Sequence, residues 1–591
     1  MNGLTCRWAF RDPSPPSSGG LVDRVLRARG IDATGAGEFL DPRLVHLHDP
    51  SLMPDMDRAA ERLLAAIAGG ETIAIYGDYD VDGITATAIL YHMLGAIAPD
   101  ALRERVITYV PHRIDEGYGL NAEAITELAR CGAKVIVSVD CGVTAIEPAR
   151  RAREEGVDLI ITDHHNALPA TPGRGDGESL PDAFAVVHPR RAGSRYPFGD
   201  LSGAGVAYKL AWRLATMHER SARLSPALRS LLIDLLAFAA LGTIADVVPL
   251  VGENRVIARF GLGRIKQSPF VGLRALVEAS GLGGESVDAM DVGFKLAPRL
   301  NAAGRMGHAR DAMELFTTAS PERAKVIARE LTSKNNERRQ VEKAIFAQAC
   351  AMAEAAGMTL PDRRAIVLSH EDWHAGVVGI VCSRMVERYA RPTILLQRRD
   401  GVCHGSGRSI DGFNLHGALT ACAELLDKHG GHDMAVGLHL ADGNFNAFAE
   451  AFIAHANRLV SESMLRPLLR ADCEARLDEL TTDAVLGLNR LEPFGRDNPA
   501  VAIVIRGVRL LGPPKTFGSN AKHLSLTLTM QDGGSAGGGE GRVIRVIGWD
   551  WAAHAPRLGA GAMVDIVVRP KISTYGGRTT VEPLIEDVCI V

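Results

Sequence analysis

Apolar runs that end in acidic or imidazole side chains set the pattern of this chain. Residues 72–76 are apolar and β-branched and run into Gly77-Asp78-Tyr79-Asp80-Val81-Asp82-Gly83. Residues 134–139 end at Asp140, and residues 157–162 end at Asp163-His164-His165. Short runs of this kind, bounded by turn residues, read as buried strands. Residues 84–95 and 144–156 between them read as helices, so the order is β-α-β with a parallel sheet. In an open parallel sheet the ligand crevice lies beyond the carboxyl ends of the strands, where every one of these acids and histidines falls. A fourth contribution comes from residues 241–246, where Asp246 closes a long apolar segment. Segments far apart in sequence would thus deliver oxygen and imidazole ligands to one crevice, as a metal site requires.

Further along, residues 168–182 are rich in Pro, Gly and Asp and read as a surface loop. Residues 321–357 carry few helix breakers and much Ala, Glu, Lys and Arg, which predicts one or more long helices joining two lobes. Arg338, Arg339 and Lys343 there face either DNA or solvent. Residues 364–369 predict another strand. Trp373-His374-Ala375-Gly376 precedes a helix-like run at 377–386, and a helix N-terminus favours phosphate. Arg408 sits between Ser406 and Ser409 in a Gly-rich stretch suited to phosphate contact, and His432 follows two glycines. Residues 524–530 alternate strictly, 542–549 and 563–568 are strand-like, and 533–541 form a Gly-rich loop tip, which together predict a small β-barrel. Phe517, Trp549, Trp551 and Tyr575 are candidate base-stacking platforms there, with Lys515, Lys522, Arg545 and Lys571 for phosphates.

The donors choose the metal. Carboxylates with one or two imidazoles suit hard octahedral ions, Mn²⁺ or Mg²⁺. Asp80, Asp82, Asp140, His164 and Asp246 carry enough charge for two such ions roughly 3.5–4 Å apart, a pair that activates water and neutralises charge on a phosphoryl group. Asp78 is either a further ligand or a support. Cys141 has no C-x-x-C partner, which argues against structural zinc. Asp78-x-Asp80-x-Asp82-Gly83 matches the start of a calcium-binding EF-hand loop, but its twelfth position is Ile89 instead of Glu and a strand precedes it.

These motifs resemble those of the DHH phosphoesterase superfamily, and within it the bacterial exonucleases that degrade single-stranded DNA. The resemblance rests on Tyr76-Gly-Asp-Tyr-Asp-Val-Asp-Gly83, Ser138-Val-Asp-Cys-Gly142, Asp163-His-His165 and Gly242-Thr-Ile-Ala-Asp-Val-Val-Pro249. It extends to the run from Lys295 to Gly307, Trp373 to Ile380, Gly405-Ser-Gly-Arg-Ser409, Gly430-Gly-His432 and Glu492-Pro-Phe-Gly-Arg-Asp-Asn-Pro499. It implies an α/β fold: a parallel-sheet DHH domain (50–309) after an N-terminal segment (1–49), a long helical linker (310–360), a DHH-associated substrate-binding domain (361–457) and an oligonucleotide-binding (OB) β-barrel (465–591). It implies metal ligands Asp80, Asp82, Asp140, His164 and Asp246, with Asp78 close by. His165 would face the scissile phosphate, with Asp163 orienting the histidines. Arg299, Asn301, Arg305, His374, Arg408, Ser409 and His432 would serve the substrate, and Phe517, Trp549 and Tyr575 would stack on DNA. The family motif can carry His where this chain has Tyr76, a poor metal ligand at neutral pH, so Tyr76 is left out. The implied activity is 5′-to-3′ hydrolysis of single-stranded DNA to mononucleotides, in repair and recombination, by a monomer. A cleft between a metal lobe and a phosphate lobe would admit a flexible strand and exclude a duplex. A single-strand-binding protein and a helicase are the partners to consider. Superfamily members acting on cyclic dinucleotides, very short oligonucleotides or pyrophosphate, and a silent replication-fork scaffold, are the competing readings.

Composition narrows little further. The chain has 591 residues, 46% hydrophobic and 23% charged, as ordinary globular proteins do. Nine cysteines without paired spacing fit a reducing compartment. Residues 1–20 lack a signal-peptide core, and no stretch reaches ~18 uninterrupted apolar residues, so neither secretion nor membrane insertion is expected and the cytoplasm is. The net charge of −4 excludes a generic nucleic-acid coat but not a nuclease, whose local field and cations matter more. Residues 501–591 hold ten Lys/Arg against seven Asp/Glu, a mild basic bias.

Overall fold

The computed structural model describes residues 1–13, 19–113, 116–169, 178–284, 286–530, 542–575 and 577–591, the side chains of 101–103 and 575 excepted. The predicted loop tip at 533–541 and most of the predicted loop at 168–182 lie outside the described residues. The chain divides into two compact units: residues 41–338 with 493–499, and residues 1–40 with 339–492 and 500–591.

The first unit is built on five parallel strands: β1 (Thr72–Gly77), β2 (Val106–Tyr109), β3 (Ala133–Val139), β4 (Asp158–Thr162) and β5 (Ala185–Val187). Their order is β2-β1-β3-β4-β5. Chain direction across the sheet reverses between β1 and β3, and such a switch point opens a crevice at the carboxyl ends. One face packs the helices Ala122–Arg130 and Ile146–Glu154. The other packs α1 (Val81–Ile97), α2 (Gly203–His218), α3 (Pro226–Ala245) and α4 (Gly252–Ile265) in a single apolar core. Burial on both faces explains why β1, β3 and β4 read as continuous apolar runs. Helix α3 is long and apolar enough to cross a membrane by length and composition, but Leu232, Leu235, Leu236, Phe238 and Leu241 are buried in this core.

The second unit holds two sheets. In one, β6 (Ile366–His370), β7 (Thr393–Arg399), β8 (Val402–Arg408), β9 (Lys428–His432) and β10 (Ala435–Ala441) run in the order β9-β10-β8-β7-β6. The 35-residue helix α5 (Pro321–Ala355) leads into this unit, α6 (Ala375–Tyr389) lies against β7 and β8, and α7 (Phe445–Leu459) packs in the core of the opposite face. The Gly-rich stretch 405–408 is the end of a central strand. Gly405 is required there because a Cβ would stand 2.1 Å from the Leu395 carbonyl oxygen.

The other sheet is a β-barrel of β11 (Ile503–Leu510), β13 (His523–Met530), β14 (Val543–Gly548), β15 (Met563–Arg569) and β16 (Leu584–Ile590), closed by pairing of β11 with β13, with the short β12 (Lys515–Phe517) beside β13. Residues 1–49, expected as a separate segment, divide: 1–40 fold with this unit and 41–49 with the first. Arg7–Phe10 pairs in parallel with Leu468–Ala471. Buried Asp587 accepts hydrogen bonds from Thr5 N, Cys6 N and Trp8 Nε1 at 3.1, 2.9 and 2.7 Å. Buried Asp472 receives Arg29 through both oxygens at 2.9 and 3.1 Å. Two charges buried for the sake of the N-terminus explain why it does not stand apart.

His92 of α1 sits in an aromatic box, 4.4 Å from the Phe270 ring and 5.9 Å from Phe238, with Nε2 2.8 Å from the Phe316 carbonyl. Burial lowers its pKa to about 4, against only partial compensation by that hydrogen bond. A base whose folded pKa is depressed contributes stability that is whole above about 6.5 and lost as pH falls through about 4. Urea unfolding at pH 7.0 and 4.5 should therefore show the wild type losing roughly 2–3 kcal/mol more than His92→Gln across that interval; equal losses would contradict the assignment.

Candidate metal centre and nucleic-acid surfaces

The carboxyl end of β1 turns into α1 through Asp78–Asp82. Asp80 is the N-cap of α1: its Oδ1 accepts from Asp82 N at 2.9 Å and Gly83 N at 3.2 Å, which fixes the loop from within. Asp82, in the first turn, is fully buried against the start of α2 and accepts from Gly203 N at 2.6 Å and Ala204 N at 2.9 Å. The α2 macrodipole thus favours the charged Asp82. Asp140 follows β3 with φ +63°, a left-handed conformation that a residue other than glycine holds only when its surroundings impose it. Gly203 permits that placement, since a Cβ would lie 2.4 Å from Asp140 Oδ1. Asp246 does not end a strand, as its three partners do; it is the C-cap of α3. The apolar run before it is helical because it is 20 residues long and buried on several sides, a length no strand reaches.

These groups converge. His164 Nε2 lies 3.2 Å from Asp140 Oδ1, 3.5 Å from Asp246 Oδ2 and 3.9 Å from Asp82 Oδ2. Ligand-capable atoms of Asp78, Asp80 and Asp140 lie within 4.8 Å of one another, as do those of Asp82, His164 and Asp246, and of Asp140, His164 and His165. Asp78 Oδ1, Asp140 Oδ1 and His164 Nε2 are buried without a hydrogen-bond partner. Buried atoms of this kind normally find one, and a divalent cation is the partner this donor set fits. Electrostatics agree. Burial first, then the neighbouring carboxylates, raise Asp82 to about 7 and Asp246 to about 8. Asp78 and Asp140 rise for the same reasons. Burial and the His165 charge lower His164 to about 3, so it is neutral at pH 7, the form in which an imidazole can ligate a metal.

His165 is built differently. Its Nδ1 lies 2.7 Å from Asp163 Oδ1, which also accepts the backbone N–H groups of His164 and His165 at 2.7 and 3.1 Å, while Oδ2 accepts from Val143 N at 2.8 Å. Burial alone would lower the His165 pKa, but the Asp163 contact and the carboxylate field outweigh it and raise it to about 9. Asp163 thus orients the His165 ring directly and His164 only through its backbone.

Several flanking residues escaped the sequence reading. The Tyr118 hydroxyl lies 3.0 Å from His165 Nδ1, Arg113 stacks 4.8 Å over the Tyr79 ring, and His188 and Arg190 bond the backbone carbonyls of His165 and His164 at 2.7 and 2.6 Å. Arg113 and Tyr118 stand in a polar loop without periodicity; Ser202-Gly203-Ala204, an N-cap before small residues, did carry a signal. Tyr76 turns away from the acids: its hydroxyl donates to the Gly119 carbonyl at 3.0 Å and so anchors the loop bearing Tyr118.

Arg299, Asn301 and Arg305 share one helix, Ala297–Met306, whose Gly304 approaches the Tyr79 backbone. Arg305 acts electrostatically on Tyr79, whereas Arg299 is engaged with Thr332 Oγ1 at 3.2 Å. In the second unit His374 caps α6, accepting from Gly376 N at 3.1 Å. Arg408 NH2 and Ser406 Oγ border Gly379 of α6, and the register puts Arg408, Ala435 and His432 in one row across the sheet. Ser409 departs from expectation: it is buried and donates to the Phe413 carbonyl at 2.6 Å, because the strand has ended and its side chain caps the following turn. Ser406 holds the place beside Arg408. On the barrel, Phe517, His523 and Trp549 form one cluster, with Trp549 5.9 Å from Phe517, 4.7 Å from His523 and half exposed. Lys515 pairs across from Ser525 and Arg545 reaches Ser525 Oγ at 2.9 Å, so both flank the cluster. Lys522 is paired to Asp550, Trp551 packs against His554 and the backbone at Gly548, and the Tyr575 side chain lies outside the described residues.

Comparison with known proteins is consistent along the chain. Residues 72–240 match the DHH family N-terminal domain, 362–461 the DHHA1 domain and 471–587 the RecJ OB domain. The chain is 35% identical to the single-stranded-DNA-specific exonuclease RecJ of Bacillus subtilis over 573 residues, covering 96% of this chain and 68% of that one. It is 36% identical to RecJ of Dickeya dadantii, covering 82% and 83%. The crystal structure of Thermus thermophilus RecJ in complex with Mn²⁺ superposes with a TM-score of 0.76 at 30% identity, over 96% of this chain and 75% of that one; the Mg²⁺ complex gives 0.70 at 28%, over 96% and 74%.

Buried carboxylates whose folded pKa is raised stabilise the fold at low pH and lose that contribution as pH rises through about 7–8. In EDTA at pH 8, Asp140→Asn should therefore melt higher than the wild type, by roughly 0.5–2 kcal/mol, and should lose the stabilisation that Mn²⁺ gives the wild type. A variant that melts lower in EDTA and still responds fully to Mn²⁺ would contradict the site.

Proposed function

The chain belongs to the RecJ family of the DHH superfamily, and from that premise we propose that it is a single-stranded-DNA-specific exonuclease using Mn²⁺ or Mg²⁺, working from the 5′ end and releasing mononucleotides in DNA repair and recombination. One observation carries the reading: five carboxylates, buried or half-buried, converge with a neutral imidazole at the switch point of the sheet, and several of their buried atoms have no hydrogen-bond partner. Asp80, Asp82, Asp140, His164 and Asp246 would hold the ions, with Asp78 completing the cluster. Two bound divalent ions would supply an activated water and neutralise phosphoryl charge.

The chain's own groups do the rest. His165, kept protonated at neutral pH by Asp163, offers a fixed positive charge and a donor where charge develops on the phosphate. Tyr118 lies beside His165 and Arg113 over the Tyr79 ring, so both can contact a strand that reaches the metal cluster. On the second unit, Arg408, His432 and the α6 N-terminus offer backbone and side-chain donors to phosphates. The Phe517–His523–Trp549 cluster with Lys515 and Arg545 lies on β12, β13, β14 and the residue after β14, the surface OB folds use for oligonucleotides, and stacking of this kind tolerates any base. A site in the cytoplasm, a monomeric state, and cooperation with a single-strand-binding protein and a helicase belong to the same reading.

The small-substrate phosphoesterases are the second reading, and the RecJ OB match over 471–587 speaks against it. Digestion in Mn²⁺ of strands blocked at the 5′ end, at the 3′ end or at neither, beside matched duplex, separates the two. Loss of single strands prevented only by the 5′ block is expected; inert long strands with hydrolysed dinucleotides would overturn the proposal. Asp80→Ala should abolish turnover with an unchanged circular dichroism spectrum. Trp549→Ala should raise the KM for long strands by roughly 1–3 kcal/mol equivalent and leave kcat on short ones.

A further inference from the structure

Residues 493–499 fold with the metal-binding unit although the residues on both sides of them in sequence belong to the other. The segment is a tight turn: Gly495 and Asn498 form an antiparallel bridge, Asp497 has φ +58°, and fully buried Asn498 donates from Nδ2 to the Pro493 carbonyl at 2.8 Å. It is docked on the loop that follows Asp246. Leu250 N donates to the Arg496 carbonyl at 2.8 Å. A Cβ on Gly495 would stand 2.6 Å from Leu250 Cδ1, so the Leu250 side chain packs against the glycine in space that any larger residue would fill. The buried guanidinium of Arg255 reaches the Pro493 carbonyl at 3.5 Å.

The loop so gripped is under strain. Val247, next to Asp246, has φ +59°, at the residue after the α3 C-cap where glycine is usual. A β-branched residue in that conformation is an outlier that persists only when its surroundings over-determine it. On one side they do so through Glu253, which binds Lys209 and the Tyr196 hydroxyl, and Asn254, which donates to the Asp200 and Pro249 carbonyls. On the other side stands the 493–499 turn. Its Arg496 also acts electrostatically on the Asp246 carboxylate.

We propose that the Pro493–Pro499 turn is a positioning element of the metal centre, holding the strained Val247 backbone so that Asp246 points into the cluster. Asn498 and Gly495 are its key residues. The inference rests on the reading of Asp246 as a metal ligand. It makes metal affinity in the N-terminal unit depend on a segment more than 240 residues away in sequence.

Calorimetric titration of MnCl₂ into metal-free full-length protein tests it with Asn498→Ala, Gly495→Val and Asp246→Ala. Asn498→Ala should weaken Mn²⁺ binding about tenfold and raise by a similar factor the Mn²⁺ needed for half-maximal hydrolysis. Its rate at saturating Mn²⁺ should stay within about twofold of wild type, as expected of a group acting through ligand placement. Val247→Asn, whose new residue tolerates positive φ, should recover part of the affinity in the Asn498→Ala background. If Gly495→Val does not fold, Asn498→Ala carries the test. Unchanged affinity in Asn498→Ala beside a loss in Asp246→Ala would overturn the inference alone. Unchanged affinity in Asp246→Ala would overturn the ligand reading beneath it.

Discussion

Mutual repulsion among carboxylates buried at the carboxyl ends of one parallel sheet is the constraint on which this structure turns. Asp78, Asp80, Asp82, Asp140 and Asp246 are delivered by three separate segments, and nothing in the apolar core rewards bringing them together. The raised pKa values of Asp78, Asp82, Asp140 and Asp246 record the cost in the metal-free state. A divalent cation reverses the sign of that interaction. The surrounding architecture can then be understood as what forces the cluster to exist: a helix N-terminus under Asp82, glycines 203 and 242 where any Cβ would collide with a ligand, and left-handed backbone at Asp140 and Val247.

Two adjacent histidines show how environment divides one chemistry into two roles. His164 looks into the carboxylates, is drained of its proton by burial and by its neighbour, and so has the neutral imidazole that a metal ligand needs. His165, one residue on, is gripped by Asp163 and keeps its proton near neutrality. Tyr118 above His165 and the carbonyl bonds from His188 and Arg190 below hold the pair in register.

Much of this could be read from the chain beforehand, and the reasons are specific. The β1, β3 and β4 runs were legible because strands buried on both faces are apolar throughout, and the acids after them because turn residues interrupt so sharply. The strict alternation of 524–530 announced a one-sided barrel strand. What escaped depended on long-range contacts. The helix that Asp246 caps was marked by length alone, since a buried helix and a buried strand are equally apolar. Ser409 looked exposed beside Arg408 because composition says nothing of where a strand ends. Tyr118 and Arg113 lie in a polar loop with no period. The placement of 493–499 and of 1–40 depends on a few buried long-range bonds, from Leu250 and Arg255 to the first and to Asp587 and Asp472 from the second, which leave no trace in local sequence.

The central claim is that the carboxylate cluster is a two-ion site. Electron paramagnetic resonance of Mn²⁺ added stepwise to the metal-free protein tests it most directly. Two equivalents bound per chain, with the signal of the second showing spin coupling expected of ions roughly 3.5–4 Å apart, is the predicted result. Saturation at one uncoupled ion, or binding that survives replacement of both Asp140 and His164, would contradict it.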